Sequence, residues 1–315
     1  MRPLNAKRSA AAGLIVWLVV LLGTTADSAS TELIHKVVLF AVLVVVPLGL
    51  SLVPPPDRNV SFWLYNLAVA LGPIAAILTV ISFFLEKGVL AAALVCGWLI
   101  VTVIIALYGA SRLISRRSIF PLAETSIDAG LMYLPIAAGW LVIYRFGIQP
   151  FDFGEIIILL TVVHFHFAGF ATPIIAGMNG RILASRNYPR RLFAFSIFAI
   201  VAAMPLVAAG ITLAPLLGLL GTLLLTTGLV SLAVLTIVWV QPEIDRRWKQ
   251  VLLVLSALSS CAAMTLASLY SFSLATHTLI LTIPKMAMTH GILNAFGFVT
   301  CSLFVWSRIA LPQKS

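Results

Sequence analysis

Long apolar runs, each closed by a short polar or charged connection, recur along the chain at 9–25, 33–53, 61–85, 88–110, 125–146, 155–178, 192–213, 215–240, 251–272 and 284–307. Most reach the ~20 residues that an α-helix needs to cross a bilayer. The pattern predicts an all-α fold: a polytopic transmembrane helix bundle of about ten spans in one integral membrane domain over 1–315. The seventh and eighth runs meet between Leu213 and Pro215. A proline suits the first turn of a helix, so this pair is predicted to be a tight hairpin. Pro54, Pro55 and Pro56 mark a turn. The stretch 273–284 is apolar but short and holds Ser273, His277, Thr278 and Pro284; it is expected to extend the last helix or to lie at the interface. Arg2, Lys7 and Arg8 before the first run resemble the start of a signal peptide. Nine more spans follow, so this run is read as an uncleaved first helix.

Composition agrees with lipid as the main solvent. Only 10% of the 315 residues are charged and 61% are hydrophobic, where a soluble domain carries roughly a quarter charged. The net charge of +10 would suggest nucleic acid in a soluble protein. Here the termini and the loops around 58, 112–117, 181–191 and 246–249 hold all the Lys and Arg except Lys36, Lys87, Arg145 and Lys285. That asymmetry predicts both termini inside, in the cytoplasm of a cell whose membrane the chain crosses many times. The basic loops are expected to meet anionic lipid heads, with no nucleic-acid partner. Cys96, Cys261 and Cys301 each lie inside an apolar run with no CxxC spacing, so they read as packing residues.

Polar side chains inside spans are costly and so are candidates for function. The sixth run contains His164 and His166 at roughly 14 to 17 Å from its start, near mid-membrane. On a regular helix, positions two apart point ~200° apart, so the pair cannot share one metal ion. In the last run His290 and Asn294 are four apart and share a face, flanked by Gly291 and Gly297, which permit close helix approach. A site between the sixth and tenth helices is therefore allowed. Glu124 and Asp128 open the fifth run, where carboxylates favour a helix N-terminus; Asp128 is also deep enough to serve as an acid. Asp152 and Glu155 are expected to cap the sixth helix, with Arg145 near enough to pair with either, while His35 and His277 read as surface histidines.

Two resemblances follow. Val163-His164-Phe165-His166-Phe167 resembles the haem-ligating His-x-His helix of haem–copper oxidases, but the rest of that pattern is absent and only five histidines exist. Leu43-Val-Val-Val-Pro47-Leu-Gly-Leu50, His164-Phe-His166-Phe-Ala-Gly169-Phe with Pro173 and Gly180-Arg181, and His290-Gly291-Ile-Leu-Asn294-Ala-Phe-Gly297-Phe together resemble the YndJ-like family of integral membrane proteins. That resemblance implies a fold and a residue set, but little chemistry.

The leading expectation is an intramembrane enzyme that uses acid–base chemistry on a lipid-soluble small molecule, most concretely a protonation-initiated isoprenoid or terpenoid cyclase or isomerase. His164, His166, His290, Asn294, Asp128 and Glu124 are its candidate catalytic residues. Phe165, Phe167, Phe170, Trp140 and Tyr133 are its candidate pocket walls, with ring faces suited to positive charge. No Asp-rich diphosphate motif occurs, no cofactor or metal is assigned, and the oligomeric state is left open. The alternatives are a haem or metal protein and a small-molecule transporter.

Overall fold

The computed structural model of the chain describes residues 5–23, 29–55, 60–278 and 280–309. Arg2, Pro56, Arg58 and Lys314, used above, lie outside them. The described residues form no strand. Ten helices are long and apolar enough to cross a membrane: α1 Ala6–Gly23, α2 Thr31–Leu50, α3 Val60–Phe83, α4 Val89–Arg116, α5 Leu122–Phe146, α6 Glu155–Leu183, α7 Arg190–Thr212, α8 Pro215–Glu243, α9 Arg247–Ala275 and α10 Ile283–Trp306.

Several helices outrun their apolar runs. α4 continues to Arg116, α6 to Leu183 and α8 to Glu243. Charged side chains can lay their stems along the helix and keep their heads in water, so hydropathy stops before the backbone does. The stretch 273–284 does not extend the last helix. α9 persists to Ala275, Ser273 donates its hydroxyl to the Thr278 carbonyl, and α10 opens only at Ile283 with Pro284 in its first turn. The expected α7–α8 hairpin is present, with α8 opening at Pro215.

The chain divides into two compact units, Met1–Ile174 and Ile175–Ser315. In the first, α3 packs on α4, α4 on α5 and α5 on α6, while α2 touches both α1 and α6. In the most apolar window of α2, 72% of residues are buried, against 17% for α1, so α2 is core and α1 a peripheral cover. In the second, α7 packs on α8, α8 on α9 and α9 on α10.

Lipid tails are as apolar as leucine, so helix contacts here depend on close packing and polar links. Two glycines show how close the backbones come. A Cβ on Gly13 of α1 would sit 2.0 Å from the Leu43 carbonyl oxygen of α2. A Cβ on Gly210 of α7 would sit 2.1 Å from the Gly218 Cα of α8. Wide i→i+5 turns interrupt α2 at Ala41–Val45, α6 at Phe165–Ala171, α8 at Thr236–Val240, and α10 at Ala287–Gly291 and Leu293–Thr300. Such turns add a residue to a helix, release carbonyls from the regular ladder and often sit at functional sites.

Candidate functional site

A cleft of about 420 Å³ in the first unit is lined by α1, α2, α3 and α4. Its size lies within the range of small-molecule sites. Val42, Leu43, Val46 and Leu50 of α2, with Trp98, Val101 and Ile105 of α4, form a buried floor. Ala12 of α1 with Pro73 and Ile77 of α3 are exposed, so the cleft opens sideways between these two helices. Gly72 and Pro73 lie side by side in α3 at the wall. One end is polar: Asn5, Arg8 and Ser9 line it. Among the described residues the exposed Arg8 side chain has no hydrogen bond or ion pair, and it places a positive charge at the end of the cleft. No lining residue bears a carboxyl or imidazole group.

The candidate histidines stand outside this lining. His166 is wholly buried, and its Nδ1 lies 2.8 Å from the Val162 carbonyl. A carbonyl only accepts, so Nδ1 carries the proton. Its Nε2 accepts from the Trp98 indole N–H at 3.3 Å, with the two rings stacked. His166 is thus a neutral tautomer with both nitrogens engaged, and it holds from behind a tryptophan that lines the cleft. His164, half-buried, likewise donates Nδ1–H to the Leu160 carbonyl at 2.8 Å. A wide turn begins at Phe165, so the ~200° separation of a regular helix does not apply to this pair. His290 donates to the Ala263 carbonyl of α9 at 2.8 Å, tying α10 to α9. Asn294 is half-buried and its side chain makes no hydrogen bond among the described residues. Gly297 meets α9, where an added Cβ would sit 2.5 Å from Ser259 Oγ, whereas Gly291 faces open space. His164 and His166 belong to the first unit, His290 and Asn294 to the second.

The candidate aromatic walls pack elsewhere. Phe165 meets Tyr133 edge-on, Trp140 lies against Phe153, and Phe167 and Phe170 are fully buried. Phe170 lies over Gly49 of α2, where a Cβ would come within 2.9 Å of its ring. None of the five lines the cleft.

The two candidate acids are arginine partners. Asp128 has no exposed surface; Arg112 Nε reaches its Oδ1 at 2.6 Å and an Arg116 nitrogen its Oδ2 at 2.7 Å. The same Arg112 guanidinium holds Glu124 at 2.6 Å, and Arg116 also donates to Thr125 Oγ1 at 3.0 Å. Two arginines four apart on α4 thus meet two carboxylates four apart on α5. Such an arrangement favours the ionised carboxylates and clamps the helices. It could have been read from the sequence as matched i,i+4 pairs flanking a short turn.

Near the α5–α6 connection, two expectations change. Arg145 is buried and pairs with neither Asp152 nor Glu155. It donates to the Ser82 and Leu85 carbonyls at 2.6 and 2.7 Å, where the end of α3 leaves acceptors without helical partners. Glu155 instead pairs with Lys87 at 2.6 Å. His35 is not a bare surface histidine: its Nε2 lies 2.6 Å from the Tyr144 hydroxyl, linking α2 to α5.

Among the described residues no group of three or more His, Cys, Asp or Glu side chains could hold a metal ion. The residues that the sequence reading passed over are those of the cleft. Arg8 served there only as a topology signal, and Trp98 was one aromatic among many. The adjacent Gly72 and Pro73 inside an apolar run were the available sign.

The YndJ-like protein family model matches residues 36–298. The chain is 29% identical over 283 residues to a Bacillus subtilis (strain 168) protein described as uncharacterized membrane protein YndJ. The match covers 89% of this chain and 50% of that protein, so the chain spans about half the length of the curated relative it matches. No solved structure matches the chain. The ten apolar helices and the membrane relative agree on a multi-pass membrane protein. The family model covers most of the chain, from within α2 to within α10, and the chain belongs to the YndJ-like family.

Proposed function

We propose that the chain binds a lipid-soluble molecule with one long apolar tail and an anionic head, taken up sideways into the α1–α4 cleft. The observation that carries this reading is an apolar cleft open between α1 and α3 that ends at an arginine with no ion pair among the described residues. Burying a hydrocarbon tail against the α2 and α4 floor supplies packing, and Arg8 supplies a charge-assisted contact to the head. In this reading the N-terminus faces the cytoplasm, as the loop charges predict.

The test uses the purified protein in nanodiscs with a photoactivatable fatty acid. Labelling is expected to concentrate on residues such as Val16 and Ile77. Arg8→Gln is expected to weaken fatty-acid labelling roughly 5-fold, the worth of about 1 kcal/mol for an exposed ion pair, and to leave a photoactivatable fatty alcohol unaffected. Gly13→Val drives a methyl into the Leu43 carbonyl, displaces α1 and is expected to abolish both. Even labelling over all lipid-facing helices, unchanged in Gly13→Val, would refute the reading.

A second reading adds acid–base chemistry on the same molecule, as a terpenoid cyclase or isomerase would need. One contact bears on it: His166 stands behind Trp98 in the cleft wall and would reach the molecule only if that indole swings aside. It requires deuterium from heavy water to appear in an alkene probe, and that incorporation to vanish in His166→Leu. A probe recovered without deuterium leaves binding alone.

A further inference from the structure

The second unit encloses a small void of about 10 Å³ lined by Asn179 of α6, Thr236 of α8, Ser256 and Ser260 of α9 and Ser302 of α10, among apolar neighbours. The hydroxyl protons around it are already committed. Thr236 Oγ1 donates to the Leu232 carbonyl at 2.7 Å. A hydroxyl has one proton, so the 2.7 Å contact between Thr236 Oγ1 and Asn179 must run from the asparagine N–H. That fixes the amide's orientation. Asn179 Oδ1 is then left as an acceptor in a residue only 1% exposed, with no hydrogen-bond partner. Ser260 donates to the Ala257 carbonyl at 2.8 Å. Ser256 donates to the Phe298 carbonyl at 3.0 Å, and Ser302 lies 2.5 Å from Ser256 Oγ, which takes its proton. The polar wall therefore offers mainly lone pairs: the four hydroxyl protons are committed, and the one uncommitted donor is the second Asn179 amide N–H.

We propose that this void binds one desolvated monovalent cation of sodium size, held by Asn179 Oδ1 and the hydroxyl oxygens of Thr236, Ser256, Ser260 and Ser302. A void of this volume admits one guest no larger than a water molecule. A water has two protons to give and leaves most of these acceptors unmet, whereas a cation attracts all of them at once. Hard oxygen donors suit a hard cation. No carboxylate lines the void, so a divalent ion would bury charge without compensation.

Two of the basic side chains at the ends of these helices carry their own counter-charges. At the same helix ends Arg186 pairs with Glu243, and Lys249 with Asp245. The wide turn of α8 begins at Thr236, and that of α10 contains Phe298, whose carbonyl orients Ser256. The inference is independent of the cleft in the first unit.

The test is the thermal midpoint of the full chain in detergent, titrated with sodium, potassium or choline chloride at constant ionic strength. Ligand that binds only the folded state raises the midpoint saturably. Sodium is expected to raise it by several degrees, potassium by less and choline not at all. The apparent sodium affinity is expected to fall at least tenfold in Ser260→Ala, a mild change, and to vanish in Asn179→Leu. Equal midpoints of the unaltered protein in all three salts would mean that the void holds water, and would overturn the proposal. So would a sodium effect that is undiminished in Ser260→Ala. Neither result depends on Asn179→Leu folding.

Discussion

Asp128→Asn is expected to destabilise the first unit by about 3–5 kcal/mol, the cost of removing one partner from a buried ion pair. The substitution keeps the size of the side chain and removes its charge. Arg112 and Arg116 then stand at the α4–α5 contact with Glu124 as the remaining carboxylate near them. Glu124 is partly exposed, and Glu124→Gln is expected to cost about 1 kcal/mol or less, because water screens that pair. Unfolding in graded sodium dodecyl sulfate, followed by tryptophan fluorescence, measures both. A fully stable Asp128→Asn protein that has lost activity would mean that Asp128 acts on a substrate instead of on its arginines. Replacing all four charged groups with apolar residues of similar volume is expected to restore most of the stability, since burying an ion pair costs nearly what it returns.

Gly210→Val is expected to stop the second unit from folding normally. A Cβ at this position would meet Gly218 Cα at 2.1 Å and Gly218 N at 2.2 Å. Both atoms are backbone, so no side chain can swing aside. An overpacked core ordinarily costs ~1–3 kcal/mol because neighbours shift to new rotamers. Here the only relief is to separate α7 from α8, which the two-residue connection at 213–214 restricts. Gly139 provides the comparison: its added Cβ meets nothing within 4 Å. Gly139→Ala is therefore expected to be neutral or slightly stabilising, because alanine is the better helix former. The recovery of monodisperse protein in size exclusion checks both.

Much of the fold was legible because lipid imposes one rule, a long apolar run for each crossing. All ten helices follow it. Arg116, Leu183 and Glu243 show its limit: hydropathy marks the hydrocarbon core, while the helices run on into the headgroups. The candidate site was less legible. His166 drew notice as a buried polar group, but its partner Trp98 is 68 residues away, a pairing that only the packing of α4 on α6 creates. Asp128 was visible as a deep carboxylate, and its role changed once Arg112 and Arg116 came within reach. The cleft depends on where α1 fails to cover α2, a property of packing to which no residue type is diagnostic. Asn179 lay in the sequence as a loop residue, because the apolar run ends before it and the helix does not.

The wide turns carry a consequence for comparing relatives. A helix with one surplus residue can lose it and remain a helix of the same span. Everything beyond the deletion then rotates by ~100°. A one-residue deletion within Leu293–Thr300 would turn Ser302 away from Ser256 while barely altering hydropathy. Single-residue gaps inside the helices of related proteins should therefore be treated as switches of side-chain register. Two chains of almost equal length and near-identical apolar profile can point different residues inward, and an alignment that smooths over such a gap would pair positions that never occupy the same place.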